Sequence, residues 1–315
     1  MTNDVDVVDD DDARWILESP SAERNKGPIY DVVLGPLVFP RLIEDARSRA
    51  LRVTGNDDDD EGWRGGGGGD DVVIRVLELA AGCGVHTVHF ASSFLASTSS
   101  TSTSTDDDDH DVGLEWHPSD PDPEARLSID ARVRLAGLTG RNIVVLPSNT
   151  WTLGLAGGTA LGDGGHRDRD GDGGAGRVGG GGGAVDASGG GGIGREEGGD
   201  GDPGRDYDDR ASYFDLVLCI NMIHIAPWEA TLGLMECAGT VLRRGGLMVT
   251  YGPYKVGGDA VESNLNFDKS LRAKNPEWGV RDIEDVVNAA EKRGMELYQT
   301  VEMPSNNLCV LFRKK

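Results

Sequence analysis

Two carboxylates and a turn of small residues carry the clearest chemistry in this 315-residue chain. Glu78-Leu79-Ala80-Ala81-Gly82-Cys83-Gly84 closes the apolar run that starts at Val72, and Val85 to Ala91 then resumes with helical spacing. A β-branched strand, a Gly-rich turn and a helix, in that order, open a nucleotide-binding α/β unit. The pattern here is Glu78-x-Ala80-x-Gly82-x-Gly84 rather than GxGxxG. Small residues let the chain turn sharply and let a ligand approach the backbone. The second carboxylate, Asp120, ends the next strand, where an acid can accept both ribose hydroxyls of a nucleoside.

Acid–base candidates come later in the chain. His224 lies just past the most apolar strand, and Tyr254 lies past the fifth. His224 is either a base for a protonated acceptor or a structural histidine beside Trp228. Tyr254 and Trp278 are either site residues or packing aromatics. His86 and His89 share a helix face, but no further ligands stand near them and no metal site is expected. The four cysteines show no CxxC or Cys/His spacing, which fits a reducing compartment.

The elements that must position these groups alternate. Val72 to Leu79, Leu114 to Asp120, Asn142 to Leu146, Phe214 to Ile220 and Leu247 to Tyr251 read as strands. Helical spacing follows the first two, and a helix runs from Pro227 to about Leu242, closed by Arg243-Arg244-Gly245-Gly246. A short helix near Ser263 to Asp268, a helix from Asp282 to Arg293 and a hairpin of Met295–Met303 and Asn307–Phe312 complete the order. Alternating β and α predicts an α/β fold, with seven strands in a mostly parallel sheet and a C-terminal antiparallel hairpin. Near the N-terminus, Ser21 is a candidate helix cap, and the segment from Ile29 is expected to break at Pro36. The Glu23-Arg24-Asn25-Lys26 cluster leads into an apolar face, as a lid over a ligand or as a solvated helix on the sheet.

Composition separates core from insertion. Residues 1–18 read as an acidic disordered tail, and 19–315 as one domain with low-complexity insertions at about 55–71, 97–111 and 154–210. The net charge of −23 belongs mostly to four biased segments, Asp4 to Asp12, Asp57 to Asp71, Ser97 to Asp111 and Gly154 to Arg210, which hold 30 of the 54 acidic residues and 7 of the 31 Lys and Arg. The remainder has 24 residues of each sign, so no nucleic-acid partner is expected. The N-terminus lacks the features of a signal peptide, and no apolar stretch has spanning length, so a cytoplasmic protein with no membrane partner is expected.

An acid–Ala–Gly–Gly turn with an acid ending strand two is the arrangement of Rossmann-like S-adenosylmethionine-dependent methyltransferases. Several motifs sharpen this. Ser19-Pro20 through Asn25, Trp116-His117-Pro118-Ser119-Asp120-Pro121, Asn221 to Thr231, Tyr251-Gly252-Pro253-Tyr254, Ser263-Asn264 with Phe267-Asp268, Asn275 to Asp282 and Met303-Pro304-Ser305-Asn306-Asn307 resemble the methyltransferase-like 26 family. The resemblance spans residues 19–315 apart from the biased insertions. It implies a class I methyltransferase fold and S-adenosylmethionine as cofactor, with the methyl acceptor, a small molecule or a protein, unassigned. It places Glu78, Ala80, Gly82, Gly84, Asp120 and Asn221 around the cofactor, Asn221 facing its methionine part, and makes Arg24 and Asn25 lid contacts. Strand three departs from the family pattern, because Pro147-Ser148-Asn149-Thr150-Trp151 has no carboxylate for the adenine amino group. The alternative is a non-catalytic protein of the same fold that binds partners. A nicotinamide-dependent dehydrogenase is disfavoured by the missing third-glycine spacing.

Overall fold

The computed structural model describes residues 10–54, 72–99, 112–138, 143–145 and 213–315. Most of the expected insertions, and Pro147 to Trp151, lie outside the described residues.

The N-terminal part is helical, continuously so from Pro20 to Thr54. A four-residue helix, α1 (Asp10–Ala13), precedes α2 (Pro20–Ile29), a π-helical stretch (Tyr30–Val38) and α3 (Phe39–Thr54). Ser19, not Ser21, caps α2, its hydroxyl accepting from the Ala22 amide. The expected break at Pro36 does not occur. Proline clashes with the carbonyl four residues back and donates no hydrogen bond. The wider π turn tolerates both defects, and Phe39 N–H bonds to the Leu34 carbonyl five residues back. The run therefore presents Ile29, Val33, Val38, Leu42 and Ala46 to the core without interruption.

The first βα units follow the expected order. Strand β1 (Val72–Leu79) leads to α4 (Val85–Ser99), β2 (Val112–Ser119) to α5 (Pro123–Leu135), and β3 (Ile143–Val145) follows. Helix α4 extends to Ser99, and the Ser97 and Thr98 hydroxyls bond back to the Phe94 carbonyl. Those residues are helix rather than the start of an insertion. Residues from the expected tail dock on α5: Asp12 pairs with Arg134 at 2.6 Å, and Leu17 bonds through its amide to Ser128 and through its carbonyl to Arg132.

The second half contains β4 (Phe214–Ile220), α6 (Trp228–Val241), β5 (Leu242–Gly252), β6 (Tyr254–Lys255), α7 (Glu262–Lys274), β7 (Arg281–Asp282), α8 (Ile283–Glu291), β8 (Met295–Met303) and β9 (Asn307–Lys314). The main sheet has seven strands in the order β3-β2-β1-β4-β5-β9-β8. Strands β1 to β5 are parallel, and β9 runs antiparallel to both neighbours. This is the Rossmann-like class I methyltransferase fold, with the closing hairpin in place. Strands β6 and β7 form a separate small sheet.

Strand alternation sorts the core into two layers. Ile74, Val76, Leu216, Leu218, Leu247 and Val249 pack under α2 to α5. Leu77, Leu79, Val217, Cys219, Met248 and Val310 pack under α6 and α8. Every residue of β4 is buried, as its unbroken apolar run predicts.

One expected boundary shifts. Arg243 to Gly246 belong to β5 rather than to the end of α6. The reason is Asp215, 2% exposed at the start of β4. Its carboxylate accepts from Arg243 Nε, from Arg49 Nη2 at 2.9 Å and from the Arg75 amide at 2.7 Å. Drawing Arg243 to this acid carries the chain into the sheet early, through a register shift between Phe214 and Leu216. Asp215→Ala removes the acceptor for all three donors and is expected to cost about 3 kcal/mol of stability, read by equilibrium urea unfolding.

Candidate functional site

The winding of the sheet reverses between β1 and β4, so a crevice opens beyond the carboxyl ends of those strands. The turn after β1 stands there. It is built from left-handed residues, Ala80 at φ 54°, Gly82 at φ 59° and Gly84 at φ 82°. Gly84 is needed twice over, because a Cβ would also stand 2.9 Å from Ile129 Cα in α5. At Gly82 a Cβ would meet nothing within 4 Å, so the space above the turn is open.

Two bonds fasten the turn to the end of β2. Ala81 N–H donates to the Ser119 carbonyl at 2.9 Å, and Gly82 N–H donates to Asp120 Oδ2 at 2.8 Å. Asp120 Oδ1 accepts from the Asp122 amide at 2.9 Å. Two backbone donors hold this carboxylate, and lone pairs remain on both oxygens for hydroxyl donors. Burial pushes its pKa up, opposed by those two amides.

Glu78 lies below the turn. It is 1% exposed, and its Oε2 accepts from Thr87 Oγ1 at 2.6 Å and from Trp116 Nε1 at 2.9 Å. It thus ties the first turn of α4 to the middle of β2 beneath the glycines. Burial raises its pKa to about 7, and the charge of Asp120 adds to the rise. Nothing in the spacing of Thr87 or Trp116 announces them as its partners.

Helix α2 brings a polar cluster to the same end of the sheet. Asn25 is 8% exposed, with Oδ1 2.6 Å from His86 Nε2. An amide oxygen only accepts, so His86 carries its proton on Nε2. Burial lowers the pKa of His86 to about 4. Tyr251, at the end of β5, accepts from Asn307 Nδ2 at 2.9 Å and also lies within reach of Asn25 and the charge of Arg24. Arg24 itself is exposed. In the sequence His86 stands out only by sharing a helix face with His89, and Tyr251 and Asn307 only within the Tyr251-Gly252 and Asn306-Asn307 motifs.

Asn221 sits at the end of β4 with φ 60°, its amide donating to the Tyr251 carbonyl at 2.9 Å. His224 follows in a short 3₁₀ turn and is 6% exposed. Its aromatic neighbour is Phe267, edge-on at 5.7 Å, rather than the expected Trp228. Gly252 admits the ring, since a Cβ there would stand 2.9 Å from His224 Nδ1. Burial, with Arg281 nearby, lowers the His224 pKa to about 4, so the imidazole is neutral at pH 7. Arg281 clamps the same turn through the Ile223 and Ala226 carbonyls.

Tyr254 does not join this group. It is 5% exposed in the layer under α6 and α8, with its hydroxyl 2.7 Å from Thr250 Oγ1. Burial pushes its phenol far above the usual range. Of the two readings open for Tyr254, its surroundings are those of a packing aromatic. Among the described residues, no group of three or more His, Cys, Asp or Glu could hold a metal, and no helix is long and apolar enough to cross a membrane.

A family model described as "Protein of unknown function (DUF938)" matches residues 202–314, from just before β4 to the end of β9. Among solved structures, the chain is similar to an O-methyltransferase family protein from Burkholderia thailandensis, at 11% identity and TM-score 0.46, covering 77% of this chain and 51% of that one. It is similar to an O-methyltransferase family 2 protein from Planctomyces limnophilus in complex with apigenin, at 12% identity and TM-score 0.46, covering 86% and 61%. It is also similar to magnesium protoporphyrin IX methyltransferase from Synechocystis with bound SAH, at 12% identity and TM-score 0.42, covering 94% and 95%. These likenesses are distant, and the fold rests on the strand order and register given above.

The buried groups oppose one another across pH. Glu78, raised from 4.5 to about 7, favours folding at low pH and loses that contribution as pH rises through 7. His86 and His224, lowered from 6.5 to about 4, favour folding at neutral pH and lose that contribution as pH falls toward 4. Glu78→Gln removes only the first effect. Its unfolding free energy should fall more steeply from pH 7 to about 4.5 than that of the parent, by on the order of 3 kcal/mol. Urea unfolding at the two pH values measures the difference, and equal slopes would contradict a buried, proton-binding Glu78.

Proposed function

We propose that the chain is an S-adenosylmethionine-dependent methyltransferase. The observation that carries this reading is the Asp120 carboxylate, bonded to the Gly82 amide beneath an open left-handed turn, beside the point where the sheet reverses. A carboxylate so placed suits the two hydroxyls of a ribose, and an open turn without side chains admits a nucleoside to van der Waals contact. The site fits the cofactor that the resemblance implies. Asp120, Gly82, Ala80 and Gly84 would hold its nucleoside, and Asn221, with Arg24 and Asn25 from α2, its amino-acid part. Glu78 acts beneath them as a positioning residue.

When bound, the cofactor supplies a methyl group already activated by its sulfonium. The protein is left with alignment, exclusion of water and removal of a proton where the acceptor carries one. His224, neutral at pH 7, is the base this reading assigns to that proton. Ile225 and Phe267, 44% and 40% exposed beside it, favour an acceptor with apolar surface.

Calorimetry with S-adenosylmethionine on the full chain should show saturable binding, weakened about 10- to 100-fold by Asp120→Ala through the loss of charge-assisted hydrogen bonds. Methyl transfer from labelled cofactor into a cell extract should fall about 100-fold or more in His224→Asn with cofactor affinity retained. Binding without transfer to any acceptor would select the alternative, a non-catalytic protein of the same fold.

A further inference from the structure

The near balance of charge in the folded part conceals a segregation at the opposite end of the sheet. There a groove of about 580 Å³ runs between α3, the start of β5 and the hairpin. Helix α3 contributes Arg41 and Arg49, β5 contributes Arg243 and Arg244, β9 contributes Arg313 and Lys314, and Lys315 follows it. The carboxylates that answer them are already shared. Asp215 is held by Arg49 and Arg243 together, Glu296 by Arg313 and Lys315, and Asp45 lies 4.0 Å from Arg41. Seven cations thus face three carboxylates.

Three guanidinium nitrogens in this groove are buried with no acceptor: Arg41 Nε, Arg49 Nη1 and Arg243 Nη2. Arg243 has only 13% of its side chain exposed. A buried N–H of a cation without an acceptor is unfavourable, and a ligand that supplies oxygens relieves it. Arg49 and Arg243 also crowd each other, and burial together with that like charge lowers the Arg49 pKa. Paired guanidinium forks with free N–H groups match the tetrahedral oxygens of phosphate. The groove is compact rather than a long basic stripe, and its volume is that of a small-molecule site. Arg243 and Gly252 lie near opposite ends of β5, so the groove stands about 30 Å from the cofactor end at ~3.3 Å per residue.

We propose that this groove is a second ligand site, which binds a compact anion bearing two or more phosphate groups. It is independent of the methyltransferase reading. The probe is tripolyphosphate, titrated calorimetrically into the full chain at low and high salt. Saturable one-to-one binding that weakens with salt is expected. The test variant is Arg244→Gln with Lys314→Gln, because neither side chain answers a buried carboxylate and the fold is retained, as an unchanged melting temperature will verify. Its affinity should fall at least tenfold, and citrate should bind the parent at least tenfold more weakly than tripolyphosphate. Absence of saturable binding, or equal affinity in the double variant, would overturn the proposal. So would binding of an Asp-rich peptide that tripolyphosphate fails to displace, which would make the groove a surface for acidic protein segments.

Discussion

The bond from the Gly82 amide to the Asp120 carboxylate is the constraint on which the candidate site depends. It joins the turn after β1 to the residue after β2, and so sets the depth of the crevice between them. The chain accepts left-handed backbone at Ala80, Gly82 and Gly84 to reach it. Ala80 is the costly one, since a Cβ disfavours that region by roughly 1 kcal/mol. The strain is held by what lies beneath. Glu78 bonds Thr87 and Trp116, and Gly84 lies against Ile129, so neither the start of α4 nor the end of β1 is free to relax.

The two ends of the sheet solve opposite electrostatic problems. At the carboxyl ends, buried imidazoles are kept neutral and a buried carboxyl is kept close to its titration midpoint, by removal from water. At the amino ends, Asp215 gathers two arginines into the start of β4 and β5, with a concentration of positive charge around them. The same acid shapes the chain path, because drawing Arg243 inward converts a helix end into sheet.

Much of this was legible along the chain. The strand–turn–helix at Val72 to Ala91, the alternation of β and α, the central apolar β4 and the hairpin at Met295 to Phe312 are local patterns, and local patterns survive folding. The place of Asp120 just after β2 was also legible, whereas its bonds to the Gly82 and Asp122 amides were not. The continuity of the helix through Pro36 was not. It depends on a wide π turn that α3 and the sheet hold in place, which no propensity of the segment reveals.

Pattern therefore determined the order of elements, the parallel sheet and the position of the glycine turn, because periodicity and residue type act within a few residues of each other. Only the tertiary structure decided which polar groups meet. Glu78 finds Thr87 and Trp116, Asn25 finds His86, Asn307 finds Tyr251, and Tyr254 disappears into the lower layer against Thr250. Each pairing satisfies a buried donor or acceptor with a partner on another element or another turn of chain. The need for such a partner is plain in the residue type, but its identity exists only once the layers have packed.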